Sequence, residues 1–85
     1  MQIDVRGIED IASVVRQIRK SQGIRQDDLG SMAGCSHKFI VDVEKGKQTI
    51  QAGLLLKVLD ELGIRLIIDL PDSSHPSAQN TAKPL

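Results

Sequence analysis

Two short helical stretches joined by a tight glycine turn limit what this chain can become. Residues 26–33, QDDLGSMA, and 37–45, HKFIVDVEK, both read as short helices, and only Gly34, Cys35 and Ser36 stand between them. Asp27 and Asp28 favour the N-terminus of the first through the helix dipole. Leu29, Met32 and Ala33 give it an inner face. Gly34 breaks it. Ser36 is a good N-cap for the second, and Gly46 ends that one. Gly30 is small where the two helices would cross closely. Ile40 and Val43 lock the second helix onto a core and leave His37, Lys38, Val41, Asp42 and Lys45 on its other face. A short helix, a tight turn and a second short helix make a helix-turn-helix arrangement. Its exposed helix N-terminus is the geometry that enters a DNA major groove.

The flanking sequence supplies the rest of a small domain. Residues 8–21, IEDIASVVRQIRKS, place Ile8, Ile11, Val15 and Ile18 on one helical stripe. Glu9 and Asp10 in its first turn and Arg19 and Lys20 in its last suit the dipole. A further helix starts at Thr49 or Gln51 and reaches about Leu62, with Leu55, Val58, Leu59 and Leu62 at i, i+3, i+4, i+7. Then IRLIIDL, 64–70, turns strand-like: Ile64, Leu66, Ile68 and Leu70 alternate with Arg65, Ile67 and Asp69. A lone strand leaves its ladder groups unpaired, and nothing in 1–63 reads as a partner. Antiparallel pairing with a second copy about a two-fold axis is self-complementary. The apolar edge of the last helix, Leu54, Leu55 and Val58, would continue that seam. The expected fold is all-α, a bundle of four to five helices, with one C-terminal strand pairing across a homodimer. Residues 1–63 form the domain, 64–70 the dimerisation strand and 71–85 a flexible tail. That tail, PDSSHPSAQNTAKPL, holds all three prolines and too little apolar surface to offset its ordering entropy.

Composition excludes several functions. The one aromatic residue, Phe39, rules against an aromatic-stacking RNA platform. Eleven basic and eleven acidic residues cancel, so nucleic-acid contact must come from local charge placement. Arg16, Arg19, Lys20 and Arg25 do cluster without an acid among them, so a neutral total can hide one positive face. With a single cysteine, two histidines and no cluster of the two, no metal site is expected. There is no Gly-rich phosphate loop and no Ser/His/Asp arrangement, so neither catalysis nor a cofactor is expected. Cys35 near His37 is the one nucleophile candidate, and a small turn position explains it better. No apolar run approaches a membrane span, and the N-terminus does not read as a secretory signal. The expected setting is the cytoplasm.

The pieces IRKSQGIRQDDL, AGCSHKFIVDVEKGK and LLKVLDELG, in this order and spacing, resemble the phage-repressor-like (Cro-type, or XRE) helix-turn-helix family. The resemblance covers about fifty residues. The strand LGIRLIIDL and the polar tail are similar to HipB-like antitoxins, which pair with HipA-like kinase toxins. By this resemblance Gln26 opens the first helix of the motif, binds a DNA phosphate and braces the recognition helix. Arg25 stands where the family usually has a Thr or Ser cap, and adds a phosphate contact instead. Arg19 and Glu44 match an internal ion pair. Ser36, His37, Lys38 and Asp42 fall at DNA-facing positions: Lys38 and His37 bind guanine O6/N7 or, for His37, a phosphate, and Asp42 reads cytosine or discriminates against wrong bases. Phe39 either touches a thymine methyl or packs on the core rim. Val41 replaces a common phosphate-binding Ser and offers a methyl contact. Lys45 and Lys47 match phosphate-binding positions.

The implied protein is the antitoxin of a type II toxin–antitoxin system. Its homodimer binds double-stranded DNA at a palindromic operator, represses its own transcription and restrains a HipA-like serine/threonine kinase toxin. Two recognition helices then lie roughly 34 Å apart, one DNA turn. The alternative is a stand-alone repressor of the same family with no toxin partner. A pure protein-interaction domain that has lost DNA binding is the remaining rival, kept open by Val41 and Asp42.

Overall fold

Helix signals and stop signals fall where the sequence places them in the computed structural model of the chain, which describes residues 1–72. Among these residues four helices follow one another: α1 (Ile8–Ser21), α2 (Gln26–Ala33), α3 (His37–Glu44) and α4 (Ala52–Glu61). The Asp10 carboxylate turns back to accept from the backbone N–H groups of Arg6 (2.8 Å) and Gly7 (3.2 Å), which satisfies donors that a helix start leaves orphaned. Ser36 Oγ accepts from Phe39 N at 3.0 Å and starts α3. Gln51 Oε1 does the same for α4 from Leu54 N at 2.9 Å. Arg25 precedes α2 with no side-chain cap, so the acids Asp27 and Asp28 of its first turn carry that end.

The turn between α2 and α3 depends on two glycines for different reasons. Gly34 sits at φ 75°, a left-handed conformation that L side chains rarely adopt. Gly30 has an ordinary helical place but no room: an added Cβ would lie 3.0 Å from the Cys35 carbonyl oxygen and 3.2 Å from the Ser36 backbone. The Cys35 N–H also donates to Gly30 O at 2.8 Å, so the chain doubles back directly over α2.

The core is aliphatic. Val15 of α1, Leu29 of α2, Ile40 and Val43 of α3 and Val58 of α4 are sealed from solvent, joined by Ala33, Leu55, Leu59 and Leu62. Each large aliphatic side chain so buried contributes about 1.5–3 kcal/mol. Helix α3 packs on both α1 and α2, and α4 closes the base against α2. This leaves the outer face of α3 free while its inner face is held from two sides.

Two expectations are corrected. Met32 is exposed, because in an eight-residue helix Leu29 and Ala33, four apart, fill the inward stripe. Leu55 and Val58, expected at the dimer seam, are buried in the core of the single copy; Leu56 is the exposed leucine of α4. Of the two expected starts of the last helix, Gln51 is its N-cap and Thr49 lies outside it. Residues 64–70 enter no ladder among the described residues. Ile64 is half-buried against the core, whereas Leu66, Ile67, Ile68 and Leu70 are exposed. The tail expected over 71–85 lies, from residue 73 onward, outside the described residues.

Candidate nucleic-acid interface

The polar face of α3 begins at its first residue. His37 and Lys38 are exposed, Val41 and Asp42 half-buried, and Lys45 exposed just beyond the last turn. The N–H of Lys47 donates to Asp42 O at 3.1 Å, so the segment after α3 folds back beside the helix. Its side chain joins the same cluster: Asp42 takes Lys38 Nζ at 3.1 and 3.2 Å and Lys47 Nζ at 3.7 Å. The hydrogen bond from Lys38 holds the Asp42 carboxyl below the usual carboxylate range, with the nearby lysine charges adding to it. In the free protein Asp42 therefore neutralises the lysines on either side.

Behind this face lies a second cluster. The Arg19 guanidinium places Nε 2.6 Å and Nη2 3.0 Å from the two oxygens of Glu44, and Nη1 donates to Ile24 O at 2.8 Å. The Arg19 and Glu44 side chains retain only 10% and 4% of their exposure. The bond to Glu44 raises the guanidinium's already high pKa, against the opposing effect of burial. Gln26, the first residue of α2, donates from Nε2 to Glu44 Oε1 at 3.0 Å, and its Oε1 lies 3.4 Å from His37 Nε2. One connected network thus runs from Ile24 O through Arg19, Glu44 and Gln26 to the outer face. No buried side-chain polar atom among the described residues lacks a partner.

The remaining predicted residues divide. Phe39 is partly buried and packs against the core. Ser36 Oγ accepts the cap bond from Phe39 N, which leaves its O–H able to donate. Arg25 turns away to Asp27, with both contacts at 3.1 Å in the open, and the pair lowers the Asp27 pKa. Cys35 is half-buried, and desolvation pushes its thiol pKa up, opposite to an activated nucleophile. The resemblance implied that Gln26 braces the recognition helix, but it named neither Glu44 nor His37 as the partner. Their separations of 18 and 11 residues carry no periodic signal. Arg16 and Lys20, expected on a positive face, line one groove with Lys45, together with Glu9 and Glu44.

Among the described residues no group of His, Cys, Asp and Glu could hold a metal ion. None of their helices is long and apolar enough to cross a membrane.

Comparisons agree with this geometry. A helix-turn-helix family model matches residues 15–67. The chain is 48% identical over 62 residues to an uncharacterized HTH-type transcriptional regulator, y4mF, of Sinorhizobium fredii (strain NBRC 101917 / NGR234), a stretch that is 73% of this chain and 82% of that protein. Its fold is similar to a chain of the HipA-HipB-O2-O3 complex, at a TM-score of 0.75 and 16% identity, covering 80% of this chain and 96% of that one. It is also similar to the restriction-modification controller protein C.AhdI from Aeromonas hydrophila, at a TM-score of 0.61 and 22% identity, covering 68% of this chain and 84% of that one.

Proposed function

The chain belongs to the helix-turn-helix family, of the XRE type, and from that premise we propose that it is a sequence-specific autorepressor that binds a palindromic operator as a homodimer. The observation that carries the reading is the N-terminal end of α3, capped by Ser36, raised on the Gly34 turn, and showing His37 and Lys38 to solvent. Lys38 has donors only and suits guanine O6/N7. The free N–H of Gln26 and the ammonium groups of Lys45 and Lys47 suit phosphates, which set register without reading sequence.

Dimerisation through 64–70 is part of the proposal. Four large apolar side chains lie exposed on this short segment, and antiparallel pairing with a second copy satisfies both its backbone and its side chains. The pair of α3 helices then reads two half-sites. Deleting 64–85 is expected to give monomers by analytical ultracentrifugation and to abolish binding to the full palindrome. An unchanged dimer rejects the strand.

The same dimer is proposed to restrain a HipA-like serine/threonine kinase toxin. The resemblance of the strand segment to HipB-like antitoxins supports this, together with the similarity to the HipA-HipB-O2-O3 complex over nearly all of the matched chain. The stand-alone repressor is the second reading, and the likeness to C.AhdI favours it. Footprinting on the protein's own promoter at several salt concentrations tests the DNA function; protection of a palindrome with affinity falling steeply with salt is expected. Copurification with the products of neighbouring genes separates the two readings. A kinase that copurifies and loses activity in the complex selects the antitoxin, and recovery of the DNA-binding dimer alone selects the repressor.

A further inference from the structure

The amide of Gln26 stands between a group that only accepts hydrogen bonds and a group that can do either. Glu44, paired through both oxygens with the Arg19 guanidinium, offers lone pairs and no proton. The amide must therefore turn its NH2 toward Glu44 Oε1, at 3.0 Å. The opposite orientation would set a carbonyl oxygen against a carboxylate oxygen. Amide orientations and imidazole tautomers are assigned from the surrounding network, and here the carboxylate settles the first link. The carbonyl oxygen of Gln26 then faces His37 Nε2 at 3.4 Å. A carbonyl oxygen can only accept, so His37 Nε2 carries the proton. A neutral imidazole has one N–H, so Nδ1 keeps its lone pair.

We propose that Glu44 and Gln26 set the tautomer of His37, so that this exposed residue reads the operator as a hydrogen-bond acceptor through Nδ1 and selects adenine or cytosine. The inference rests on α3 being the helix that enters the groove. Adenine N6 and cytosine N4 donate in the major groove; guanine N7 and O6 and thymine O4 only accept. This departs from the sequence expectation that His37 shares guanine with Lys38. The two neighbours divide the code instead: Lys38 supplies donors and His37 an acceptor. Gln26 and Glu44 are positioning residues, since they act through His37. Gln26 retains one free amide N–H for a phosphate.

Nitrogen-15 NMR of the full-length free protein, with the neutral ring at alkaline pH, reports which nitrogen of His37 bears hydrogen; a His37→Gln spectrum assigns the signals. Protonated Nε2 and bare Nδ1 are expected, and Gln26→Leu should restore a mixture of tautomers. A wild-type ring protonated at Nδ1, or already mixed, overturns the proposal even if Gln26→Leu does not fold. On DNA, at the same alkaline pH so that the ring is neutral, each base pair is varied at the position where His37→Ala abolishes discrimination. Adenine or cytosine there should bind roughly tenfold more tightly than guanine or thymine, and Gln26→Leu should narrow that ratio. A preference for guanine or thymine, or no position sensitive to His37→Ala, overturns the proposal while DNA binding stands. Failure to bind any duplex, beside the expected tautomer, overturns the DNA reading instead.

Discussion

Helix α3 carries a charge cluster on each side, and the two differ in almost everything except composition. On the inner side Arg19 and Glu44 meet through two hydrogen bonds, with 10% and 4% of their side chains exposed. On the outer side Lys38 and Lys47 share Asp42, with the lysines 79% and 51% exposed and the longer contact at 3.7 Å. A desolvated charge must keep its partner, because nothing replaces it. A solvated one exchanges its partner for water or another anion at little cost. The inner cluster can therefore fix the pose of α3, and the outer one is suited to trading Asp42 for a phosphate or a base edge.

The largest effect should come from breaking the inner pair. Arg19→Met leaves Glu44 buried without its guanidinium, and urea denaturation should show a loss of about 3–5 kcal/mol. Arg19→Lys should recover little of it, since one ammonium lacks the planar fork that serves both Glu44 oxygens and the Ile24 carbonyl. Lys38→Ala, by contrast, should leave the denaturation midpoint nearly unchanged. A Lys38→Ala midpoint shifted as far as that of Arg19→Met would erase the distinction between the two sides.

On DNA the ranking should reverse. Lys38→Ala should reduce discrimination at one base pair by about 1–3 kcal/mol, measured as the ratio of operator to mismatched-operator affinity. Lys47→Ala should weaken all duplexes alike and lower the slope of log affinity against log salt by about one. Were Lys47→Ala to alter base preference, or Lys38→Ala to leave the operator preference intact, their roles as phosphate and base contacts would have to be exchanged.

The residues that build this arrangement were unequally legible in the sequence. Helices α1 and α2 match their expected bounds, because glycines and acids punctuate them as strongly as periodicity does. The Gly30 crossing and the Ser36 cap were legible for the same reason, each being a local steric or hydrogen-bonding requirement. Helix α4 was harder: its run of leucines satisfies several inward stripes, so assigning Leu55 and Val58 to an interface failed where tertiary packing decided. The Arg19–Glu44 pair entered only through family resemblance, since residues 25 apart share no local pattern. The Gln26 bridge to His37 entered only as a brace of the recognition helix implied by resemblance, with no partner named, because the partners follow from how α2 and α3 fold back over Gly30. Segment 64–70 shows the limit from the other direction: its alternation, blurred by Ile67, is visible in the sequence, yet it enters no ladder among the described residues.

The smallest effect separates the two sides by pH. Lys38 depresses the Asp42 carboxyl pKa in the folded chain. A carboxyl with a folded value below its unfolded one stabilises the protein above the ordinary carboxylate range, near about 3.9. That contribution disappears as pH falls through the folded value. Asp42→Asn should therefore be slightly less stable than wild type at neutral pH, with the gap closing in acid. The same variant frees Lys38 and Lys47, so at neutral pH its affinity for all duplexes should rise while discrimination falls, because the repulsion that penalises wrong base edges is gone. Tighter binding with discrimination intact would show that Asp42 merely shields the lysines. Weaker binding would make it a base reader in its own right, accepting from cytosine N4.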